Sequence, residues 1–249
     1  MTFVAELTIE ALRAHDGAAR SQYERALVAA CRKAPPPFGA RRYGETYRAA
    51  ATDPYWLATS LMANAEREGE GAGHLWDLAA CTPDAEVARQ IRQHAIDESG
   101  HARAYIAMLD LTFPGAVDEE FHTQLATLSP GYTNGSPREP HPGSPYAHPV
   151  TVDELIQMNI AEIRTRIHHL LQRPMLLAHC ASERHPHLLR LLDTLLFDET
   201  RHIAYTATLI ETSARHGGAE PVKRLVLERL RDFNAITTEE LARRDFVST

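Results

Sequence analysis

The feature that most constrains this chain is a pair of charged motifs that occupy positions where a helix would bury apolar residues. The motifs are DESGH (residues 97–101) and DETRH (residues 198–202), and each continues an apolar stripe with helical spacing. A Glu and a His three residues apart lie on one face of a helix, so both can bind the same cation. Burying a carboxylate on such a face is costly unless a cation compensates for its charge. The motifs therefore predict two long helices with buried metal ligands.

Most of the chain has the composition and periodicity of helices. Stretches rich in Ala, Leu, Arg and Glu repeat with a period of about 3.6 residues, and no alternating runs typical of strands occur. Proline and glycine mark the ends of the segments. The predicted helices cover residues of about 17–33, Pro54–Cys81, 83–111, 151–180 with a kink at Pro174, 185–217 and 220–244.

Two short patterns in the sequence have the residues of helix caps. Thr82 followed by Pro83 favours a cap and a proline at the first helical position. Thr237 and Glu240, within the last predicted helix, have the spacing of a capping box.

A segment of different composition, residues 128–149, separates two predicted pairs of helices. Its density of proline and glycine forbids a regular helix, so we predict a long crossover connection that covers a substrate entrance. Two helix pairs joined in this way predict an all-α four-helix bundle with extra flanking helices at both ends. We expect one domain over residues 1–249, with the core bundle at about 55–210.

The remaining metal ligands are predicted from hairpin geometry. In an antiparallel pair, the counterpart of a residue in mid-helix lies about 30 residues earlier. Before Glu98 this window contains Glu66, Glu68 and Glu70, of which Glu68 fits the apolar stripe best, with Glu66 as the second choice. Before Glu199 the acid that can face inward is Glu162, 37 residues earlier.

Two histidines are further candidate ligands. His169 lies 30 residues before Glu199 and competes with Glu162, and His94 lies four residues before Glu98. The predicted ligand set is Glu68, Glu98, His101, Glu162, Glu199 and His202. Carboxylate oxygens and imidazole nitrogens without thiolates suit iron or manganese. Asp97 and Asp198 point about 100° away from the adjacent Glu, which predicts that each accepts the free ring N–H of the other motif's histidine.

A third match to the same pattern, residues 118–122, is interpreted as surface. It follows Pro114-Gly115, where acidic residues favour the first turn of a helix, and no partner Glu lies at a suitable distance upstream.

Composition excludes several other classes of protein. The net charge is −7, which offers no broad cationic surface for nucleic acid. The three cysteines form no CxxC pair. No apolar run approaches the roughly 20 residues of a membrane span, and the N-terminus lacks a signal-peptide pattern. We therefore expect a cytoplasmic protein without a membrane partner.

The motif pattern closely resembles the ferritin-like di-iron carboxylate superfamily, in which one Glu, then ExxH, then one Glu, then ExxH lie on four helices. The resemblance covers residues of about 55–210, and the DExxH form of both motifs is similar to the oxygenase and reductase branches. It implies that Glu98 and Glu199 bridge or chelate and that His101 and His202 bind one iron each. Glu68 and Glu162 would be terminal ligands. Two features depart from the pattern: the long spacing before Glu199, and His94, which resembles an extra histidine that accompanies the second motif in arylamine N-oxygenases.

The resemblance also implies a function. We expect a non-haem di-iron oxygenase or oxidase that uses O₂, and an external electron donor, to hydroxylate or N-oxygenate a small organic substrate. Its cofactor would be two iron ions, with manganese as an alternative, and no catalytic residue is predicted beyond the metal ligands. The alternatives are an iron-handling ferroxidase, a dimanganese catalase-like enzyme, and a metal-free bundle that binds protein. A homodimer is the default expectation.

Overall fold

A computed structural model of the protein describes residues 3–243, with side chains described as far as residue 240. Within these residues the secondary structure is helical and contains no strand, as predicted. The α-helices are α1 (Phe3–His15), α2 (Ser21–Lys33), α3 (Arg41–Ala50), α4 (Pro54–Cys81), α5 (Ala85–Thr112), α6 (Glu119–Ala126), α7 (Val152–His179), α8 (His185–Gly217) and α9 (Ala219–Arg243). None of these helices is both long and apolar enough to span a membrane.

The long helices follow the predicted boundaries closely. Helix α4 begins at Pro54 and ends at Cys81, as predicted, and α7 continues through Pro174 to His179. Helices α1 and α3 have no counterpart among the predicted helices. Helix α3 is short and contains Gly44, so its local signal in the sequence is weak, whereas α1 is as long as the predicted α2 and was missed.

The predicted cap of α5 was wrong by two residues. Asp84, not Thr82, is the N-cap, and its side chain accepts hydrogen bonds from the backbone N–H groups of Glu86 and Val87. The Thr82 hydroxyl instead donates to the Leu78 carbonyl at the end of α4. A carboxylate at this position satisfies two backbone donors and complements the helix dipole, which a threonine cannot do as well.

The capping-box spacing of Thr237 and Glu240 does not form a capping box in the structure. Thr237 lies inside α9, where its hydroxyl donates to the Phe233 carbonyl, and Glu240 forms a buried ion pair with Arg164. Helix α9 already begins at Ala219, so no helix starts at Thr237. The same spacing does form a capping box at the start of α7, between Thr151 and Glu154.

The described residues group into two compact units. Unit I comprises residues 3–50, 151–173 and 194–243, and unit II comprises residues 51–150 and 174–193. The single domain and the four-helix bundle with a crossover stay predictions.

Unit II is built on the hairpin of α4 and α5. The predicted stripe of α4 is buried and consists largely of small and aliphatic side chains, namely Leu57, Leu61, Ala65, Ala72, Leu75 and Ala79. Ile91, Ala95, Ala102 and Met108 of α5 are buried as well. Alanines on both helices allow their backbones to approach closely, so polar side chains between them are shielded from water.

The connection between α6 and α7, residues 127–150, contains no helix, as predicted. We name it the strap. Its Leu128 carbonyl lies against Gly69 of α4, and the Pro137 carbonyl accepts a hydrogen bond from the Trp76 indole. The buried Asp77 carboxylate accepts from the backbone N–H and the ring of His141. The strap is thus fastened along α4.

In unit I a buried carboxylate caps a helix from a distance. Helix α2 has no side-chain cap of its own at Arg20, and Glu211 of α8 accepts the backbone N–H groups of Gln22 and Tyr23 at 2.7 and 2.9 Å. Burial would raise the pKa of Glu211, but hydrogen bonds from these N–H groups and from Arg215 lower it. Glu211 therefore joins α8 to the start of α2.

We predict that Glu211→Ala lowers the free energy of unfolding by about 1–3 kcal/mol, because one buried and one partly buried backbone donor lose a charged acceptor. The pKa of Glu211 is lower in the folded chain, so its contribution is full above the ordinary glutamate pKa of about 4.3 and is lost as the pH falls through the folded value. Urea unfolding at pH 7 and below pH 4 checks this. An equal loss in Glu211→Ala at both pH values would contradict it.

Candidate metal-binding site

The first candidate set of ligands, half-site II, lies on α4 and α5 of unit II. Glu98 and His101 occupy one face of α5, His94 lies one turn before Glu98, and Glu68 faces them from α4. His94 Nε2 lies 3.1 Å from Glu98 Oε1, and His101 Nδ1 lies 3.6 Å from Glu98 Oε1 and 3.7 Å from Glu68 Oε2. The exposed fraction of these side chains is between 1% and 11%. Two carboxylates and two imidazoles therefore meet in the interior of the helix pair.

The pKa values of the two carboxylates of half-site II are shifted in opposite directions. Burial, and then the neighbouring carboxylate of Glu98, raise the pKa of Glu68 well above its usual range. Burial would raise the pKa of Glu98 too, but hydrogen bonds from Glu68, His101 and His94 hold it well below that range. These shifts favour a protonated Glu68 beside a charged Glu98, because two adjacent buried carboxylates repel each other when both are ionised.

The choice among the three acids of α4 follows from their exposure. Glu66 and Glu70 are exposed, whereas Glu68 faces His101. The apolar stripe therefore identified the acid of α4 that points into the helix pair. Its role as a metal ligand stays a prediction.

The second candidate set, half-site I, lies on α7 and α8 of unit I. Glu199 is fully buried, and its Oε2 lies 3.8 Å from Nδ1 of His202, the other member of its motif. His169 Nε2 of α7 lies 3.4 Å from Glu199 Oε1. A carboxylate oxygen of Glu162 lies within 4.8 Å of a ring nitrogen of His202. Half-site I therefore repeats the composition of half-site II, with two carboxylates and two imidazoles.

Sequence spacing treated Glu162 and His169 as rivals, and both lie in half-site I. They are seven residues apart on α7, so they share a face two turns apart and flank the same pair on α8. The choice between them is therefore not exclusive. The signal that points to His169 is its 30-residue distance from Glu199, which is the hairpin spacing.

A cation also lies beside half-site I. The Arg166 guanidinium donates through Nε to the Thr200 hydroxyl at 3.0 Å and interacts with the Glu199 carboxylate. Burial lowers the pKa of Arg166, and the charge of Glu199 opposes this shift. Arg166 thus supplies a positive charge near a carboxylate that is withdrawn from water.

The predicted role of Asp97 and Asp198, to accept a ring N–H from the other motif's histidine, stays a prediction. Each aspartate has a hydrogen-bond partner on its own helix. Asp97 accepts a hydrogen bond from Gln93, and Asp198 accepts one from Arg201 at 2.6 Å.

The third DExxH match lies on the surface, as predicted. Asp118 caps α6 by accepting the Phe121 N–H, and His122 pairs with the exposed Asp110 at 2.9 Å. Position on a buried face, rather than the motif itself, distinguishes the two half-sites from this segment.

The donor sets fit a metal ion of the predicted kind. The residues that could hold a metal ion are His94, Glu68, Glu98 and His101 in unit II and Glu162, Glu199 and His202 in unit I, and all are buried except the half-buried Glu68 and Glu162. They offer only carboxylate oxygens and imidazole nitrogens, and no cysteine is among them. This combination suits iron, manganese and other divalent first-row ions. It does not identify the metal.

No protein-family model matches the chain, and no curated protein or solved structure matches it significantly. The resemblance to di-iron carboxylate proteins therefore depends on the motif residues and their spacing.

We predict that divalent metal binding to the wild-type protein strengthens as the pH rises from about 5.5 to about 7.5. A metal ion must displace the proton favoured on Glu68, whose pKa is raised, and histidine ligands must be neutral to bind it. Calorimetric titration with Co(II) in buffers of different ionisation enthalpy measures the protons released. Glu68→Gln should release about one proton fewer. Affinity that does not change over this pH range would contradict the prediction.

Proposed function

We propose that this protein is a di-iron carboxylate oxidase or oxygenase that acts on a small organic substrate. The observation that carries the proposal is the presence of two buried half-sites of equal composition, one in each compact unit. Each half-site has two carboxylates, which match the charge of one divalent ion. We assign Glu68, Glu98 and His101 to one ion and Glu162, Glu199 and His202 to the other, with His94 and His169 as additional candidate ligands.

Iron fits this donor set, although manganese uses the same ligands. When bound, a pair of Fe(II) ions supplies electrons for the reduction of O₂. In the proposal, both metal ions are needed for the reaction with O₂. Removing either half-site should then abolish the reaction.

The protein's own residues would contribute in three ways. Glu98 and Glu199 hold charge at positions that water does not reach, so an ion is the natural compensation. Glu68 holds a proton that metal binding releases. The aliphatic and alanine side chains around half-site II keep water from the ligands, which strengthens their electrostatic interactions with a cation.

The resemblance to oxygenase branches supports hydroxylation or N-oxygenation as the reaction. Turnover would require an external electron donor, because each cycle of O₂ reduction consumes the electrons of the metal pair. The assignment of the reaction is supported by the motif pattern.

We predict that the purified metal-free protein, reconstituted anaerobically with Fe(II), binds about two irons per chain. Glu199→Ala should lose at least one of them, because it removes a fully buried carboxylate ligand. Glu68→Gln should weaken binding, whereas Glu66→Gln, two residues away and exposed, should bind iron as the wild type does. Iron analysis after desalting gives the stoichiometry. No tight iron, or iron content indifferent to Glu199→Ala, would overturn the di-metal proposal.

Exposure of the reconstituted protein to O₂ then separates the candidate functions. An oxygenated product from a panel of aryl amines and aldehydes supports an oxygenase. Accumulation of Fe(III) without an organic product indicates an iron-handling protein. Rapid dismutation of hydrogen peroxide by the manganese-loaded form indicates a catalase-like enzyme.

A further inference from the structure

The strap begins at the level of half-site II, where it touches α4 beside a candidate ligand. Gly69 follows Glu68, and the Leu128 carbonyl packs so closely on it that a Cβ at position 69 would lie 2.0 Å from the carbonyl oxygen. The same helix has two more glycines nearby, Gly71 and Gly73, and a Cβ at either would meet nothing within 4 Å. Of these three positions, only 69 therefore requires glycine for close approach of the strap.

The next residues of the strap are bound to α5, again beside a candidate ligand. Ser99 follows Glu98 and is fully buried. The Ser129 hydroxyl donates to the Ser99 carbonyl at 2.6 Å, and the Tyr132 backbone N–H donates to the Ser99 hydroxyl at 3.0 Å. Arg103 donates to the Ser129 hydroxyl at 2.8 Å. The strap thus uses a carbonyl and a hydroxyl of α5 that lie one residue from Glu98.

Beyond this point the strap continues along α4 and away from the ligands. The Tyr132 ring stacks on Trp76 at 4.3 Å, and His141 pairs with the buried Asp77 at 2.8 Å. These contacts hold the strap in place about two turns of α4 beyond Glu68.

We propose that strap residues 128–132 clamp α4 to α5 at the level of Glu68 and Glu98, and that this clamp positions the two carboxylates for metal binding. The clamp makes Gly69, Ser99 and Ser129 positioning residues that do not touch the metal. The proposal depends on the proposed function, because it concerns the ligands of half-site II.

The physical reason is the narrow tolerance of metal coordination. A functional group usually has to stay within about 0.5 Å of its productive position, and residues behind the ligands provide this restraint. Glu68 and Glu98 come from different helices, so their separation follows the distance between the helix backbones. The strap contacts both backbones one residue away from both ligands, which is where a restraint on that distance is most effective.

We predict that Gly69→Ala weakens Co(II) binding at least tenfold, because the strap backbone must move away from α4. Ser99→Ala should weaken binding in the same direction by a smaller factor. The matched controls are Gly71→Ala and Gly73→Ala, which add the same methyl group to the same helix in open space and should bind Co(II) as the wild type does. Affinity is measured by titration, and the Co(II) absorption spectrum reports the ligand geometry.

A second control separates positioning from general stability. Asp77→Asn weakens the distant anchor of the strap at His141 and should lower the unfolding temperature without changing the Co(II) spectrum or affinity. If Asp77→Asn weakens Co(II) binding as much as Gly69→Ala does, or if Gly69→Ala and Ser99→Ala bind Co(II) as the wild type does, the clamp proposal is wrong.

The outcome also distinguishes the clamp from the proposed function. A wild-type protein that binds no Co(II) and no Fe(II) would contradict the proposed function. The clamp is then judged by amide hydrogen exchange in residues 65–72 and 95–102. Faster exchange there in Gly69→Ala than in Gly73→Ala supports the clamp, and equal exchange rates overturn it.

Discussion

The structure depends on the burial of charged side chains within its helical faces. Glu98 and Glu199 are withdrawn from water, and each lies in the middle of an otherwise apolar stripe. In half-site II the free-energy cost of burying two carboxylates is reduced by the proton favoured on Glu68 and by hydrogen bonds from histidines. In half-site I a neighbouring arginine contributes a positive charge. A divalent ion in each half-site would compensate the buried charge more fully, because it can interact with the two carboxylates of that half-site at once.

The long helices serve this arrangement by placing ligands at fixed intervals. A spacing of three or four residues aligns His94, Glu98 and His101 on α5, and a spacing of seven aligns Glu162 and His169 on α7. The hairpin of α4 and α5 then brings Glu68 to the same level. Asp84 caps α5 and the distant carboxylate Glu211 caps α2, so both help to define where a helix begins.

Many helix boundaries and the choice of Glu68 were predictable from the sequence, because they depend on local periodicity. The boundaries of α4 follow from proline at its start, and Glu68 was preferred over Glu66 because the apolar stripe passes through it. The surface position of residues 118–122 followed from the preceding Pro-Gly turn. In contrast, Thr237 and Glu240 have the spacing of a capping box but lie inside α9. The Glu240 side chain forms a buried ion pair with Arg164 instead. A short motif does not indicate whether a helix has already begun.

The sequence by itself determined the helical class, the positions of the long helices and the two motifs that carry the candidate ligands. These features depend on side-chain periodicity and on proline and glycine, which act over a few residues. Only the tertiary structure showed that His169 lies beside Glu199 while Glu162 lies beside His202, made Glu211 the cap of α2, and brought the strap against Gly69 and Ser99. These contacts join residues that are 30 to 189 positions apart in the chain. No local pattern records such contacts, because they arise from the packing of whole elements.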